Sequence, residues 1–129
     1  MTTRKELPPI TLSGIDFDRL ERLVAAAADK FPQTVEFLER EMARAHVVPS
    51  DAAPSGVVAM DRQVEFRDNG NGQTRTVTLV YPDQADFAAG RISVLSPVGA
   101  ALLGLSAGQS IDWQPPSGDG RSLTVLRVG

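Results

Sequence analysis

The chain has 129 residues, of which 42% are hydrophobic and 22% charged, and its formal net charge is −3. These values fit one globular domain, or a small domain with an appendage, and neither half is basic enough to suggest a groove for nucleic acid. The absence of cysteine excludes disulfides, thiolate metal sites and a cysteine nucleophile. The first residues hold no apolar signal core, and no run of about 18 apolar residues occurs, so we expect a cytoplasmic protein that does not enter the membrane.

Residues 1–50 carry two apolar stripes with the spacing of a coiled coil, which steps by three and four residues. The stripes consist of Phe17, Leu20, Val24 and Ala27, followed by Phe31, Val35, Leu38, Met42 and Ala45. Pro32 separates them, because proline is tolerated in the first turn of a helix but not inside one. The sequence therefore predicts a short antiparallel helical hairpin, about 20 Å long at 1.5 Å per residue. Asp16 or Asp18 is predicted to cap its first helix.

The linker predicted at residues 48–56 is rich in small residues and contains two prolines. Beyond it, residues 57–129 hold short β-type runs separated by turn signals at residues 68–72 and 115–120. The predicted strands cover residues 57–60, 63–67, 74–81, 90–95, 110–114 and 123–128. One helix is predicted from about Pro97 to Leu105, with Ser96 as its N-cap. The expected class is α+β, with a twisted, mostly antiparallel sheet and one packed helix.

The segment from Gly99 to Ser106 is one residue away from a phosphate-binding P-loop. A P-loop requires lysine at the position of Leu105, because the lysine charge holds the β- and γ-phosphates. Leucine cannot supply that charge. We therefore interpret the two glycines of the segment as positions at which the helix packs closely against the sheet.

Several segments of the second part resemble the C-terminal domain of the GreA/GreB transcription factors, which has an FKBP-like fold. The matching residues are Val80-Tyr81, Ala85-Asp86, Ile92-Ser93, Ser96-Pro97 and Ala101-Leu102-Leu103-Gly104. The chain as a whole is more similar to the Rnk branch of this superfamily, whose members are called regulators of nucleoside diphosphate kinase. A short N-terminal helical pair is typical of that branch.

The resemblance implies binding to RNA polymerase at the rim of its secondary channel, with Ser96, Pro97 and Val98 as candidate contacts. In Gre factors a long coiled coil enters the channel and presents acidic tip residues to the catalytic Mg²⁺, which stimulates transcript cleavage. The hairpin predicted here is short, and its tip offers Asp29 and Lys30 rather than an acidic pair. We therefore expect a monomeric factor that docks and competes with Gre factors without stimulating cleavage. We expect no catalytic residues, metal or cofactor, and nucleic acid only as part of the polymerase complex.

Three alternatives remain open at this point. The chain could be an active Gre-type cleavage factor, an FKBP-like module that binds peptides or isomerises proline, or a regulator of nucleotide metabolism that acts through another protein. His46 is the one histidine and has no cluster of ligands around it in sequence, so we interpret it as structural. Fold resemblance alone does not decide among these functions.

Overall fold

A five-stranded sheet lies next to a helical hairpin in the computed structural model, which describes residues 8–52, 54–113 and 121–129. In chain order the elements are β1 (Thr11–Ser13), α1 (Gly14–Ala27), α2 (Pro32–Arg44), β2 (His46–Val48), β3 (Gln63–Asp68), β4 (Thr74–Val80), β5 (Arg91–Ser93), α3 (Pro97–Leu102), β6 (Ser110–Trp113) and β7 (Arg121–Val128). The predicted α+β class is confirmed. The turn predicted at residues 115–120 lies outside the described residues.

The five strands of the main sheet are ordered β5-β4-β3-β7-β6. All neighbours are antiparallel except β4 and β5, which run parallel. The parallel pair requires a crossover, and the chain makes it through two short 3₁₀ turns, Pro82–Gln84 and Phe87–Ala89. The sheet is thus mostly antiparallel, as predicted, and its parallel edge lies immediately before α3.

The prediction of a strand at residues 57–60 is wrong. Val58 instead pairs with the loop that follows α3: its N–H donates to the Leu105 carbonyl (2.8 Å), and its carbonyl accepts from the Gly104 N–H (3.0 Å). Asp61 then adopts a φ of 66°, which turns the chain toward β3. The apolar run is buried because it packs under this loop, where its backbone groups find partners outside the sheet.

The helical hairpin confirms the apolar stripes, with two differences at the helix ends. Helix α1 begins at Gly14, and Ser13 is its N-cap, since the Ser13 hydroxyl accepts from the Asp16 N–H (3.1 Å). The predicted cap at Asp16 or Asp18 is wrong because the helix starts earlier than the first stripe residue. Phe31 lies at the turn before α2 and is 45% exposed, so it does not belong to the buried stripe. No helix in the described ranges is long and apolar enough to cross a membrane.

A small parallel sheet that the sequence patterns did not indicate joins the hairpin to the rest of the chain. Strand β1 precedes α1, β2 follows α2, and the two pair from Thr11 opposite His46 to Ser13 opposite Val48. The Thr11 N–H also donates to the Gly104 carbonyl (3.1 Å). The start of the hairpin is therefore held directly against the loop after α3, and its end is held there through β1.

One buried ion pair secures the segment before β1 to α2. Glu41 is only 2% exposed, and the Arg44 guanidinium donates to both of its carboxylate oxygens (2.9 and 2.7 Å). Arg44 also donates to the Pro8 carbonyl. A buried carboxylate is tolerated only when it is paired, so this bidentate contact explains how a charge is accommodated on the inner side of α2.

Helices and sheet share a single hydrophobic core in the described part of the chain. Leu20 and Leu38 of the hairpin belong to the same buried cluster as Leu79, Leu102 and Ile111. Two short helices are marginal in isolation, and this shared burial supplies the stabilisation that they lack. The segment predicted as a linker, residues 48–56, contains the end of β2 and a 3₁₀ turn at Ser50–Ala52.

Replacing Gly104 with alanine is expected to lower the free energy of unfolding by about 3 kcal/mol. Gly104 has a φ of +80°, and an added Cβ would lie 2.8 Å from the Ile10 Cβ. Gly108→Ala is the matched control, since Gly108 has a φ of +92° but no neighbour within 4 Å of an added Cβ. The control should lose only about 1 kcal/mol, which is the cost of placing alanine in a left-handed backbone conformation. Equal losses in chemical denaturation would show that the contact with Ile10 is unimportant.

Candidate functional site

A groove of about 600 Å³ opens beside the start of α3, and all three candidate contacts, Ser96, Pro97 and Val98, line it. Its apolar lining includes Val77 and Ile92, which pack against the core and are only partly buried. Past Phe66 and Arg75 the groove adjoins a smaller hollow of about 210 Å³ that contains Asp68. The structure therefore brings the predicted docking residues together on a concave, largely apolar surface.

The turn into α3 is rigid because Ser96 makes two hydrogen bonds. Its hydroxyl accepts from the Gly99 N–H (3.1 Å) and donates to the Ser93 carbonyl (2.6 Å). The predicted N-cap at Ser96 is confirmed. Since the Ser96 hydroxyl is used internally, the surface that this turn presents outward is the exposed ring of Pro97 and the half-buried side chain of Val98.

The glycines of the P-loop-like segment serve packing, as interpreted from the sequence. A Cβ at Gly99 would lie 2.2 Å from the Ser93 carbonyl oxygen, so only glycine fits that position. A Cβ at Gly104 would likewise lie too close to Ile10, at 2.8 Å from the Ile10 Cβ. Leu105 is fully buried. Helix α3 has only six residues and its first turn is capped by a serine, so the segment offers no cradle for phosphates.

Phe87 and Arg75 also line the groove, and sequence reasoning missed both. Phe87 is 75% exposed and begins the 3₁₀ turn Phe87–Ala89. The Arg75 guanidinium carbon lies 6.0 Å from the centre of the Phe87 ring. The signal available in the sequence was a single phenylalanine placed directly after Asp86 in an otherwise small and polar turn. The sequence does not show that this turn faces solvent, so the phenylalanine could not be identified as a surface residue without the structure.

The hairpin tip lies on a different element from the groove. Asp29 and Lys30 are exposed in the turn between α1 and α2, which closes through hydrogen bonds from the Lys30 and Phe31 N–H groups to the Ala27 carbonyl (3.1 and 2.9 Å). In the described ranges no group of three or more histidine, cysteine, aspartate or glutamate side chains is arranged to hold a metal ion. His46 is exposed on β2.

Two contacts hold α1 against the residues that precede β3 and follow β4. The Asp16 carboxylate accepts from the Met60 N–H (3.2 Å), and the Arg19 guanidinium lies 4.4 Å above the Tyr81 ring, a cation–π contact. The Tyr81 hydroxyl is buried and has no hydrogen-bond partner among the described residues. The orientation of the hairpin relative to the groove is therefore set partly by charged and aromatic groups.

Burial at this junction perturbs two ionisable groups. Desolvation raises the pKa of the Asp16 carboxyl, and the hydrogen bond from Met60 offsets part of that rise. Burial, followed by the nearby negative charge of Asp16, raises the pKa of Tyr81 to about 12.

Comparison with known protein families gives two matches that together span most of the chain. A family described as transcription elongation factor GreA/GreB, C-terminal part, matches residues 53–129. A family described as the Rnk N-terminus matches residues 8–48. The first match contains the groove, and the second contains the helical hairpin with β1 and β2.

Individual relatives agree with these matches. The chain is 36% identical to the regulator of nucleoside diphosphate kinase of Escherichia coli, over 94% of this chain and 89% of that protein. It is 39% identical to transcription elongation factor GreA of Nitratidesulfovibrio vulgaris, over 65% of this chain but 52% of that protein. Among solved structures, it is similar to a prokaryotic transcription elongation factor GreA/GreB from Nitrosomonas europaea, with 40% identity, a TM-score of 0.73, and coverage of 94% of this chain and 98% of that one.

Asp16→Asn is expected to raise stability more at about pH 7 than at about pH 3. The folded state holds the Asp16 proton more tightly than the unfolded state. The protonated Asp16 carboxyl therefore adds to the stability of the wild type at low pH, and this stabilisation is lost as the pH rises through the raised pKa. The asparagine oxygen can still accept from Met60, and it carries no charge to desolvate. Chemical denaturation across this pH range measures the difference. Asp18→Asn, at an exposed position of α1, is the control, and an equal pH dependence in both variants would contradict the assignment.

Proposed function

The chain belongs to the GreA/GreB family of transcription elongation factors, and we propose on that basis that it regulates transcription elongation by binding RNA polymerase. The proposed docking place is the rim of the secondary channel, as the resemblance to Gre factors implies. The proposal includes an FKBP-like arrangement of the sheet part, a monomeric state and a cytoplasmic location. No catalytic activity of its own is assigned to the protein.

The groove beside α3 is the proposed contact with polymerase. Pro97 is exposed at its edge, and Val98 is half-buried beside it. The two hydrogen bonds of Ser96 hold this turn in place, so little conformational entropy is lost on binding. A concave apolar surface with a rigid border suits the docking of a partner element.

The short length of the hairpin is the main observation that supports the proposed lack of cleavage stimulation. Helices α1 and α2 have 14 and 13 residues. At 1.5 Å per residue such helices are about 20 Å long, which is short for an element that must reach through a channel to a catalytic centre. The GreA relative from Nitratidesulfovibrio vulgaris has almost half of its length outside the match, so it has room for a longer element.

The chemistry of the tip supports the same proposal. A second Mg²⁺ is held by oxygen ligands, and paired carboxylates are the usual protein contribution. The tip turn offers the Asp29 carboxylate next to the Lys30 ammonium, whose positive charge opposes a metal ion. The protein would therefore occupy the docking site, exclude Gre factors from it by competition, and leave the cleavage reaction unstimulated.

Pro97→Asp is expected to weaken binding to core RNA polymerase about tenfold, as loss of a central interface contact does. An acidic residue in the first turn of a helix is favourable, so the variant should fold normally while it alters the docking surface. Pro82→Asp is the matched control, because Pro82 is likewise exposed at the first position of a short helical turn but does not line the groove. Titration of labelled polymerase measures both affinities, and thermal unfolding checks the fold.

Three results would each overturn part of this proposal. Failure of the wild-type protein to bind polymerase at micromolar concentration and low salt would remove the proposed partner. Robust stimulation of transcript cleavage in stalled elongation complexes would show that the short hairpin reaches the catalytic centre. Equal affinities of Pro97→Asp and wild type would place the contact elsewhere on the protein.

A second candidate function is regulation of nucleotide metabolism through another protein. It is favoured by the relative from Escherichia coli, which is named a regulator of nucleoside diphosphate kinase and matches 94% of this chain. Nucleoside triphosphate pools in a deletion strain, complemented with wild type or with Pro97→Asp, distinguish the two functions. Restoration by wild type alone indicates an effect through polymerase, whereas restoration by both supports an independent role.

A further inference from the structure

The turn between β3 and β4 contains two asparagine–glycine pairs in succession. The pairs are Asn69-Gly70 and Asn71-Gly72, and all of these residues are exposed. In such a pair the glycine nitrogen can attack the side-chain carbonyl carbon of the asparagine, because glycine has no side chain to block the approach. This attack begins deamidation, which converts asparagine into aspartate or isoaspartate. The two pairs share one dipeptide, so a large difference between their rates must come from their surroundings in the fold.

The side chain of Asn69 is fixed by residues outside the turn. Its amide nitrogen donates to the hydroxyls of Ser122 and Thr124 on β7, at 2.9 Å each. Its amide oxygen accepts from the Arg67 guanidinium (3.0 Å). The amide must rotate toward the Gly70 nitrogen before the reaction can occur, so these hydrogen bonds must break first. The fold therefore keeps the Asn69 side-chain carbon away from the attacking nitrogen.

The attacking nitrogen of the first pair is also unfavourable for the reaction. The Gly70 N–H donates to the Asp68 carboxylate (2.9 Å). The nitrogen has to lose its proton in order to attack, and a neighbouring negative charge stabilises the protonated form. The structure thus protects Asn69 at both reacting atoms, the side-chain carbon and the backbone nitrogen.

The second pair lacks both forms of protection. The Asn71 side-chain oxygen accepts from the Gln73 N–H within the same turn (2.9 Å), and in the described ranges its amide nitrogen donates to no partner. The hydrogen bond at the oxygen makes the side-chain carbon more electrophilic and leaves the amide nitrogen free to depart. The Gly72 N–H donates to a neutral group, the Asp68 carbonyl (2.8 Å). Gly72 lies in open space, since an added Cβ would have no neighbour within 4 Å.

We infer that Asn71 is a site of spontaneous deamidation in the folded protein and that Asn69 is protected from it. The inference does not depend on the proposed function. The Gly72 nitrogen gives its proton to hydroxide and bonds to the Asn71 Cγ. The Cγ–Nδ2 bond then breaks, and the nitrogen takes a proton from water and leaves as ammonia.

Water completes the reaction by opening the succinimide ring. Cleavage of the bond between the Gly72 nitrogen and the Asn71 Cγ gives aspartate, and cleavage of the bond to the backbone carbonyl carbon gives isoaspartate. In total one water is consumed and one ammonia is released, with no oxidation or reduction.

The modification changes both the charge and the backbone of the turn. Asn71 lines the smaller hollow together with Asp68 and Arg75. A new carboxylate there changes the formal net charge from −3 to −4. In the isoaspartate form the main chain also runs through the former side chain, which lengthens the backbone next to the hydrogen bond from Gly72 to Asp68. The product is therefore an acidic form of the protein with an altered β3–β4 turn.

The test is incubation of the full-length protein at mildly alkaline pH, followed by peptide mapping. Cleavage after arginine yields a peptide of residues 68–75 that contains both asparagines, and fragmentation in the mass spectrometer shows which one is converted. Asn71 should be converted about tenfold faster than Asn69, because only Asn69 must break several hydrogen bonds to react. In denaturant the two rates should agree within about twofold, since the protection belongs to the folded state.

Two sets of variants identify the source of the protection. Ser122→Ala combined with Thr124→Val removes the hydroxyls that hold the Asn69 amide, and it should raise the Asn69 rate without changing the Asn71 rate. Thr76→Val is the matched control, because it changes an exposed threonine of β4 that makes no contact with either asparagine among the described residues, and it should alter neither rate. Thermal unfolding verifies that each variant is folded.

Any of three outcomes would contradict the inference. Equal conversion of Asn69 and Asn71 in the folded protein would show that the hydrogen bonds of Asn69 give no protection. Conversion in denaturant but at neither position in the folded protein would show that the turn holds Asn71 as firmly as Asn69. An Asn69 rate in the Ser122→Ala and Thr124→Val protein no higher than in the control would show that the hydroxyls are not the source of the difference.

Discussion

The structure depends on the close approach of two backbone segments at Gly104. Ile10 lies just before β1, and its Cβ leaves no room for a side chain at position 104. The neighbouring Thr11 N–H donates to the Gly104 carbonyl, and the Gly104 N–H donates to Val58. Three segments that are distant in sequence meet at one residue, and each supplies partners for the buried backbone groups of another. This contact is one of the connections that join the helical hairpin to the sheet part of the chain.

The segment that ends at Gly104 begins with the turn into α3, which is the proposed contact with polymerase. Ser96 caps α3 at one end of the segment, and Gly104 meets β1 at the other. Helix α3 is only six residues long, so the hairpin and the groove are fixed to opposite ends of one short rigid element. Asp16, Arg19 and Tyr81 add a second connection between the two parts. In the proposed complex the groove then determines where the hairpin tip lies.

Local patterns predicted those features whose energetics are local. The apolar stripes of both helices, the break at Pro32 and the cap at Ser96 follow from spacing, proline geometry and hydrogen bonding within a few residues. The sequence patterns did not predict features that depend on contacts between segments distant in sequence. The apolar run at residues 57–60 has the composition of a strand, but its backbone pairs with the loop after α3. Strands β1 and β2 have three residues each, too few for a periodic pattern to be read.

The candidate site divides in the same way. The sequence alone determined the class of the fold, the two helices of the hairpin, the packing role of Gly99 and Gly104, and the family. Each of these follows from residue types at short spacing along the chain. Only the tertiary structure decided which surface those residues share. Phe87 and Arg75 come from different elements, and their juxtaposition depends on the parallel pairing of β5 with β4 and on the turn that exposes the ring. Side-chain proximity across a sheet is a property of register, which a single sequence does not specify.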